Sequence, residues 1–195
     1  KIFGYDPSAE EHNIAYDPEG AKAILDAHPG WADEEILFLV PSTPVYSKMG
    51  EYFQSSLTKA GFNNIKIETM DWSAWLTESK VDNRFDITLA AWSNVTRDGS
   101  ELMEPNFHSV NGQRRVRLDE DDWAQVDAYI EASKTTTDLA VRTENLVACN
   151  DLLQDEAYVQ PIYHSTNLFC YNNKYTNITR DPGGTFYVKD FQYAE

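Results

Sequence analysis

The sequence predicts an α/β protein built on a mixed, mostly parallel sheet flanked by helices. Three apolar runs of strand length carry that prediction: EILFLV at 35–40, IKIET at 65–69 and DITLAAW at 86–92. Between them lie segments whose apolar residues recur at three- and four-residue steps, the period of a helix face. Strands and helices alternating at this interval form βαβ units, whose crossovers are right-handed and whose strands run parallel.

The elements follow in order. Asp17 and Pro18 supply an N-cap and a first-turn proline for a short helix with Ala21, Ile24, Leu25 and His28 on one face, stopped by Pro29 and Gly30. The run at 35–40 is continuously apolar, the mark of a strand covered on both faces. Thr43 then caps a helix carrying Val45, Met49, Tyr52, Phe53 and Leu57 inward, and Gly61 ends it. After the strand at 65–69, Asp71 caps a short helix with Trp72, Trp75 and Leu76 inside. The third strand ends at Trp92.

Residues 93–118 are polar, lack a sustained period and contain Gly99, Pro105 and Gly112, so they read as a long loop. Two helices follow, one from about Asp119 with Trp123, Val126 and Ile130 inward, one from about Asp138 with Leu139, Leu146, Cys149 and Leu153 inward. A strand interrupted by Pro161 is expected within 158–171. The last stretch is turn-rich and ends in a β-like run at 186–193 with no evident partner.

Composition narrows the function classes. With 42% hydrophobic residues over 195 positions the chain buries a real core. Its formal charge of −16 repels phosphate backbones, so nucleic acid is not an expected partner. Cys149 and Cys170 are too few for a disulfide scaffold, and both are expected as buried free thiols. No stretch approaches the roughly 18 apolar residues of a membrane span. The opening residues KIFGYDPSAEEHN read as the interior of a longer protein.

Chemical motifs are sparse. The chain lacks GxSxG, HExxH, P-loop and GxGxxG patterns, so no catalytic residue is assigned and no enzyme is expected. His12, His28, His108 and His164 are scattered, and the acidic run 119–122 lacks the spacing of a calcium loop, so neither a metal site nor a cofactor is expected. The acids read instead as helix-start residues favoured by the macrodipole. Ligand-binding loops of such sheets leave the carboxyl ends of the strands, here 41–43 and 93–98. Trp92 stands where a buried strand enters a polar loop, either as the aromatic wall of an amphipathic ligand site or as a core indole.

The order of these segments resembles the dipeptide- and oligopeptide-binding solute receptors of bacterial ABC importers, family 5. YDPEGAKAIL is similar to that family's first helix of this lobe, and EILFLVP to the strand that follows. EYFQSSLTKAGFNNIKIETMDWSAWL, RFDITLAAWS and EAYVQPIYH are similar to later passages in the same order.

The resemblance implies a type-II periplasmic-binding-protein-like lobe, one half of a clamp that encloses a solute. Residues 1–171 would be the C-terminal ligand-binding lobe, and 172–195 a returning tail that pairs with a missing N-terminal lobe. Expected partners are a peptide or other small solute and the permease subunits of an ABC transporter. The expected location is outside the cytoplasm, with the longer protein lipid-anchored. A ligand-sensing domain of a regulator is the alternative.

The ligand-side residues expected are Trp92, Ser93, Asn94 and Asp98, with Ser42, Thr43 and Tyr163 beside them. Asp98 is open to two roles, pairing with a cationic group or capping its own loop. The resemblance also implies an aspartate three residues after the strand-ending tryptophan, where peptide-binding members hold the ligand's amine. Val95 stands there instead.

Overall fold

The computed structural model describes residues 2–166, 168–181 and 183–194, without the side chain of Glu10; Lys1, Asn167, Pro182 and Glu195 lie outside the description. The chain divides into two compact units, one of Ile14–Ala91 with Gln113–Arg115 and one of Lys1–Asn13, Trp92–Gly112 and Val116–Glu195.

The first unit is the parallel sheet and its helices. Helix α1 (Pro18–Ala27) starts where Asp17 accepts a hydrogen bond from the Gly20 amide at 2.8 Å. It buries Leu25, while Ile24 of the expected stripe stays exposed. Strand β1 (Ile36–Pro41) is covered on both faces, with Phe38, Leu39 and Val40 fully buried. Helix α2 (Pro44–Ala60) is capped by Thr43 and closed by Gly61 at φ +118°, a left-handed conformation that glycine adopts without steric cost.

Strand β2 (Ile65–Met70) pairs with β1 from Ile36–Ile65 to Pro41–Met70. Asp71 then caps α3 (Trp72–Glu78) through the Ser73 and Ala74 amides. Strand β3 (Ile87–Thr88) pairs with the other side of β1, giving the parallel order β2-β1-β3. The third strand is thus shorter than the sequence run at 86–92. Thr88 Oγ1 takes the Leu39 carbonyl at 2.8 Å where the ladder stops, although Leu89 beyond it remains buried.

The second unit packs three helices: α4 (Ser100–Phe107), α5 (Glu120–Lys134) and α6 (Leu139–Asp155). Met103, Phe107, Leu118, Val126, Ile130, Leu146, Cys149 and Leu153 form one core, with Phe3 packed against it. The expected stripes of α5 and α6 are present except that Leu139 is exposed. The loop expected over 93–118 contains α4, which keeps Pro105 inside it. Burying Met103 and Phe107 outweighs the one helical hydrogen bond that proline forfeits.

Two further expectations are corrected. No strand forms among the described residues of 158–171, a run that also includes the undescribed Asn167. Pro161 offers no amide, and Ile162, Tyr163 and Leu168 are exposed rather than seated on a sheet face. Cys170, expected inside, is exposed, and only Cys149 is buried; both are free thiols. The end of the run at 186–193 does find a partner: β5 (Gln192–Tyr193) pairs antiparallel with β4 (Tyr175–Thr176).

Candidate ligand-binding site

In the sheet unit the chain runs from β1 to β2 on one side, then crosses to place β3 on the other. That reversal puts a switch in strand order beside β1, and open α/β sheets receive ligands beyond the carboxyl ends of the strands at such a switch. Ser42 and Thr43 leave β1 at this edge. The Ser42 amide donates to the Met70 carbonyl at 2.7 Å, which fixes the turn, while its side chain is exposed. Thr43 Oγ1 accepts from the Tyr46 amide at 3.5 Å, so its hydroxyl is given to helix capping.

In the other unit the segment 92–98 is a loop pinned at several points. Asn94 Nδ2 donates to the Asp98 carbonyl at 2.6 Å. The Thr96 amide and hydroxyl both donate to Glu101 Oε2 at 2.6 Å. The Phe3 amide donates to the Arg97 carbonyl at 2.7 Å, and the Gly99 amide returns to the Phe3 carbonyl at 2.9 Å. Arg97 sits at φ +63°, a conformation that costs a non-glycine residue free energy and persists where the surroundings over-determine it.

Asp98 spends both carboxylate oxygens within this unit. Oδ1 accepts from the Ser100 amide and hydroxyl at 3.0 and 2.8 Å, and Oδ2 accepts from Arg142 Nη2 at 2.8 Å. Burial alone would raise its pKa, but the hydrogen bonds from Ser100 and Arg142 hold it below the ordinary carboxylate value. Of its two expected roles, the observed one is to fix the loop. Thr96 likewise holds the Glu101 carboxyl below its usual range, through its hydroxyl and its amide.

The loop leaves Trp92, Ser93, Val95, Thr96 and the cationic Arg97 open to solvent. Trp92 is 40% exposed and Val95 54%, and Ser93 is exposed between them and Asn94. Asn94 Oδ1 is buried without a hydrogen-bond partner. Tyr163, from the extended segment after α6, is 58% exposed. Arg142 and Glu101, which shape the loop, were not foreseen. Each sits on a helix where it reads as ordinary solvated charge, and no local pattern announces a partner 44 residues away. Among the described residues no group of three histidine, cysteine or carboxylate side chains gathers as a metal site.

A parallel sheet with a reversal in strand order, flanked by helices, is the fold of the periplasmic-binding-protein class. Residues 1–114 match the family described as bacterial extracellular solute-binding proteins, family 5 Middle, and the chain belongs to that family. It is 26% identical over 171 residues to di/tripeptide-binding protein 1 of Pseudomonas aeruginosa, covering 84% of this chain and 30% of that protein. It is 24% identical over 148 residues to the dipeptide-binding protein DppE of Bacillus subtilis, covering 75% of this chain and 26% of the relative.

The fold matches the dipeptide-binding protein of Pseudoalteromonas sp. SM9913, solved in complex with Met-Leu. The TM-score is 0.76 at 20% identity, over 100% of this chain and 38% of the other. The chain therefore spans under a third of the length of these two curated relatives. No helix among the described residues is long and apolar enough to cross a membrane.

Proposed function

We propose that the chain is the ligand-gripping lobe of a solute receptor that captures a peptide or another small solute outside the cytoplasm and delivers it to the permease subunits of an ABC transporter. The single observation that carries this reading is the strand order β2-β1-β3, a reversal of the kind at which open α/β sheets take ligands beyond the carboxyl ends of their strands. The mechanism is reversible enclosure without a chemical step. A second lobe closes over the solute, and the contact energy left after the cost of closure sets affinity. The tail 172–195 leads toward that second lobe, and the longer protein carries a lipid anchor.

Trp92, Ser93 and Asn94 are the ligand-side residues of their loop, and Asp98 is the residue that holds it. Ser42 and Thr43 in the sheet unit, and Tyr163, are further candidates. The carboxylates nearest the loop, Asp98 and Glu101, already have partners, and position 95 is valine. A cationic amine on the ligand therefore meets no unpaired carboxylate of this loop, and binding rests on apolar contact and neutral hydrogen bonds.

Calorimetry with a dipeptide and tripeptide panel tests the reading. The longer protein binds a member of the panel, the 195-residue chain alone binds it poorly, and Trp92→Ala in the longer protein weakens binding while leaving the melting temperature in place. A variant that loses stability with affinity intact would place Trp92 in the core instead. Tight binding by the isolated chain would overturn enclosure.

A further inference from the structure

Arg115 is an ionic residue without an ionic partner. Its Nε donates to Ser79 Oγ at 3.0 Å, and its guanidinium carbon lies 4.9 Å above the centroid of the Trp75 ring. Ser79 and Trp75 are both buried, at 0% and 1% exposure, so the two groups that hold the guanidinium do not move aside for it. Trp75 is further fixed by its Nε1–H, which donates to Thr88 Oγ1 at 2.9 Å at the end of β3. All of these residues belong to the sheet unit.

Two other half-buried guanidinium groups are handled differently. Arg84 meets Glu68 and Glu78, and Arg142 meets Asp98. Arg115 has no carboxylate within ion-pair distance among the described residues, in a chain with 32 acidic side chains against 16 basic ones. Burial pushes its pKa down, and no neighbouring anion raises it again. A desolvated cation held by a hydroxyl and an indole face leaves the paired Nη donors unspent, and such donors match the two oxygens of a carboxylate.

We infer that Arg115, seated on Trp75 and Ser79, is an anion-binding position that takes a singly charged carboxylate group. The planar Nη edge fits a carboxylate in two parallel hydrogen bonds. The chain's charge of −16 disfavours dianions such as phosphate relative to a monoanion. These residues belong to the sheet unit and the loop 92–98 to the other, and the inference does not rest on the solute-capture reading. The carboxylate comes either from a free small acid or from an acidic side chain elsewhere in the longer protein.

Nitrogen–proton correlation spectra of the 195-residue chain test the inference, with acetate as the probe, phosphate as the dianion control and ionic strength held constant with chloride. The expected result is a saturable shift of the Arg115 Nε–H and Trp75 Nε1–H signals with acetate, and a weaker response to phosphate. Arg115→Gln abolishes the acetate response at Trp75. Should that variant fail to fold, Arg115→Lys keeps the charge but loses the fork, and its half-saturation concentration rises several-fold.

The same titration in the longer protein separates the two sources. A site filled by an internal side chain no longer responds to acetate, whereas a site for a free acid does. Absence of any saturable acetate shift at Arg115 in the 195-residue chain overturns the inference, as does an unchanged Trp75 response in folded Arg115→Gln.

Discussion

Arg142 Nη2 donates to Asp98 Oδ2 at 2.8 Å, and the same guanidinium donates from Nε to the Ser133 carbonyl at 2.9 Å. It also lies 4.7 Å from the centroid of the Phe3 ring. One side chain of α6 thereby ties together the start of the chain, the loop 92–98 and the end of α5. The ring contact adds cation–π attraction to two charge-assisted hydrogen bonds.

Breaking this pair destabilises the fold. Both side chains are less than a third exposed, so Arg142→Ala costs about 1–3 kcal/mol, mostly through the Asp98 carboxylate left without its donor. Arg142→Lys recovers only part of it, because an ammonium does not reach both Asp98 and the Ser133 carbonyl. Because the folded pKa of Asp98 lies below its ordinary value of 3.8, the pair's contribution is present above that value and is lost as pH falls through the folded pKa. Urea denaturation of both variants at neutral and acidic pH checks the size and the sign.

Trp75 on α3 and Trp92 in its loop separate core from surface. Trp75 is 1% exposed and hydrogen-bonded, so Trp75→Ala costs about 3–5 kcal/mol and leaves Thr88 without its donor. Trp92, 40% exposed, costs below about 1 kcal/mol when replaced by alanine. Thermal melts of the two variants side by side read the difference. Equal losses would contradict the exposure of Trp92.

His12 gives the short 3₁₀ helix Pro7–His12 a pH-dependent latch on α6. Its Nδ1 lies 2.9 Å from Asp155 Oδ1 and its Nε2 lies 3.6 Å from Asp151 Oδ2. The Asp155 hydrogen bond raises its pKa above the ordinary 6.5 against a small opposing cost of burial, and Asp151 and Glu11 add to the rise. The latch is therefore complete below the unfolded pKa and weakens as pH rises through the folded one. Protection factors for the amides of residues 7–12, corrected for the base-catalysed intrinsic rate, should fall above neutrality in the native chain and lose that pH dependence in His12→Asn.

The two cysteines differ in reactivity. Burial pushes the Cys149 thiol up to about 12, and its sulfur packs 3.8 Å from Met103 Sδ. Cys170 is exposed. A thiol reagent at neutral pH should modify one cysteine per native chain, at Cys170, and the second only on unfolding. Modification of both in the native chain would contradict the packing of α4 against α6.

Much of the sheet unit was readable because its signals are local. Asp17, Thr43, Asp71 and Gly61 act on amides and carbonyls within a few residues, and each stands at the helix boundary it marks. The apolar run at 35–40 places β1 at the centre because a strand buried on both faces has few polar positions. The misreadings came where local preference lost to packing. Pro105 and Gly99 read as loop, yet Met103 and Phe107 draw that segment into α4. The apolar residues after Pro161 read as strand, yet no ladder receives them among the described residues.

By itself the sequence determined the α/β class, the alternation of strands and helices in the sheet unit and the loop in which Trp92 stands, because periodicity and capping are written within a turn or two of chain. Only the tertiary structure decided that Asp98 belongs to Arg142, that Glu101 belongs to Thr96 and that Arg115 rests on Trp75 with no carboxylate in ion-pair distance among the described residues. A charged side chain takes its role from whatever the fold sets within a few ångströms of it, and that neighbour has no fixed distance along the chain.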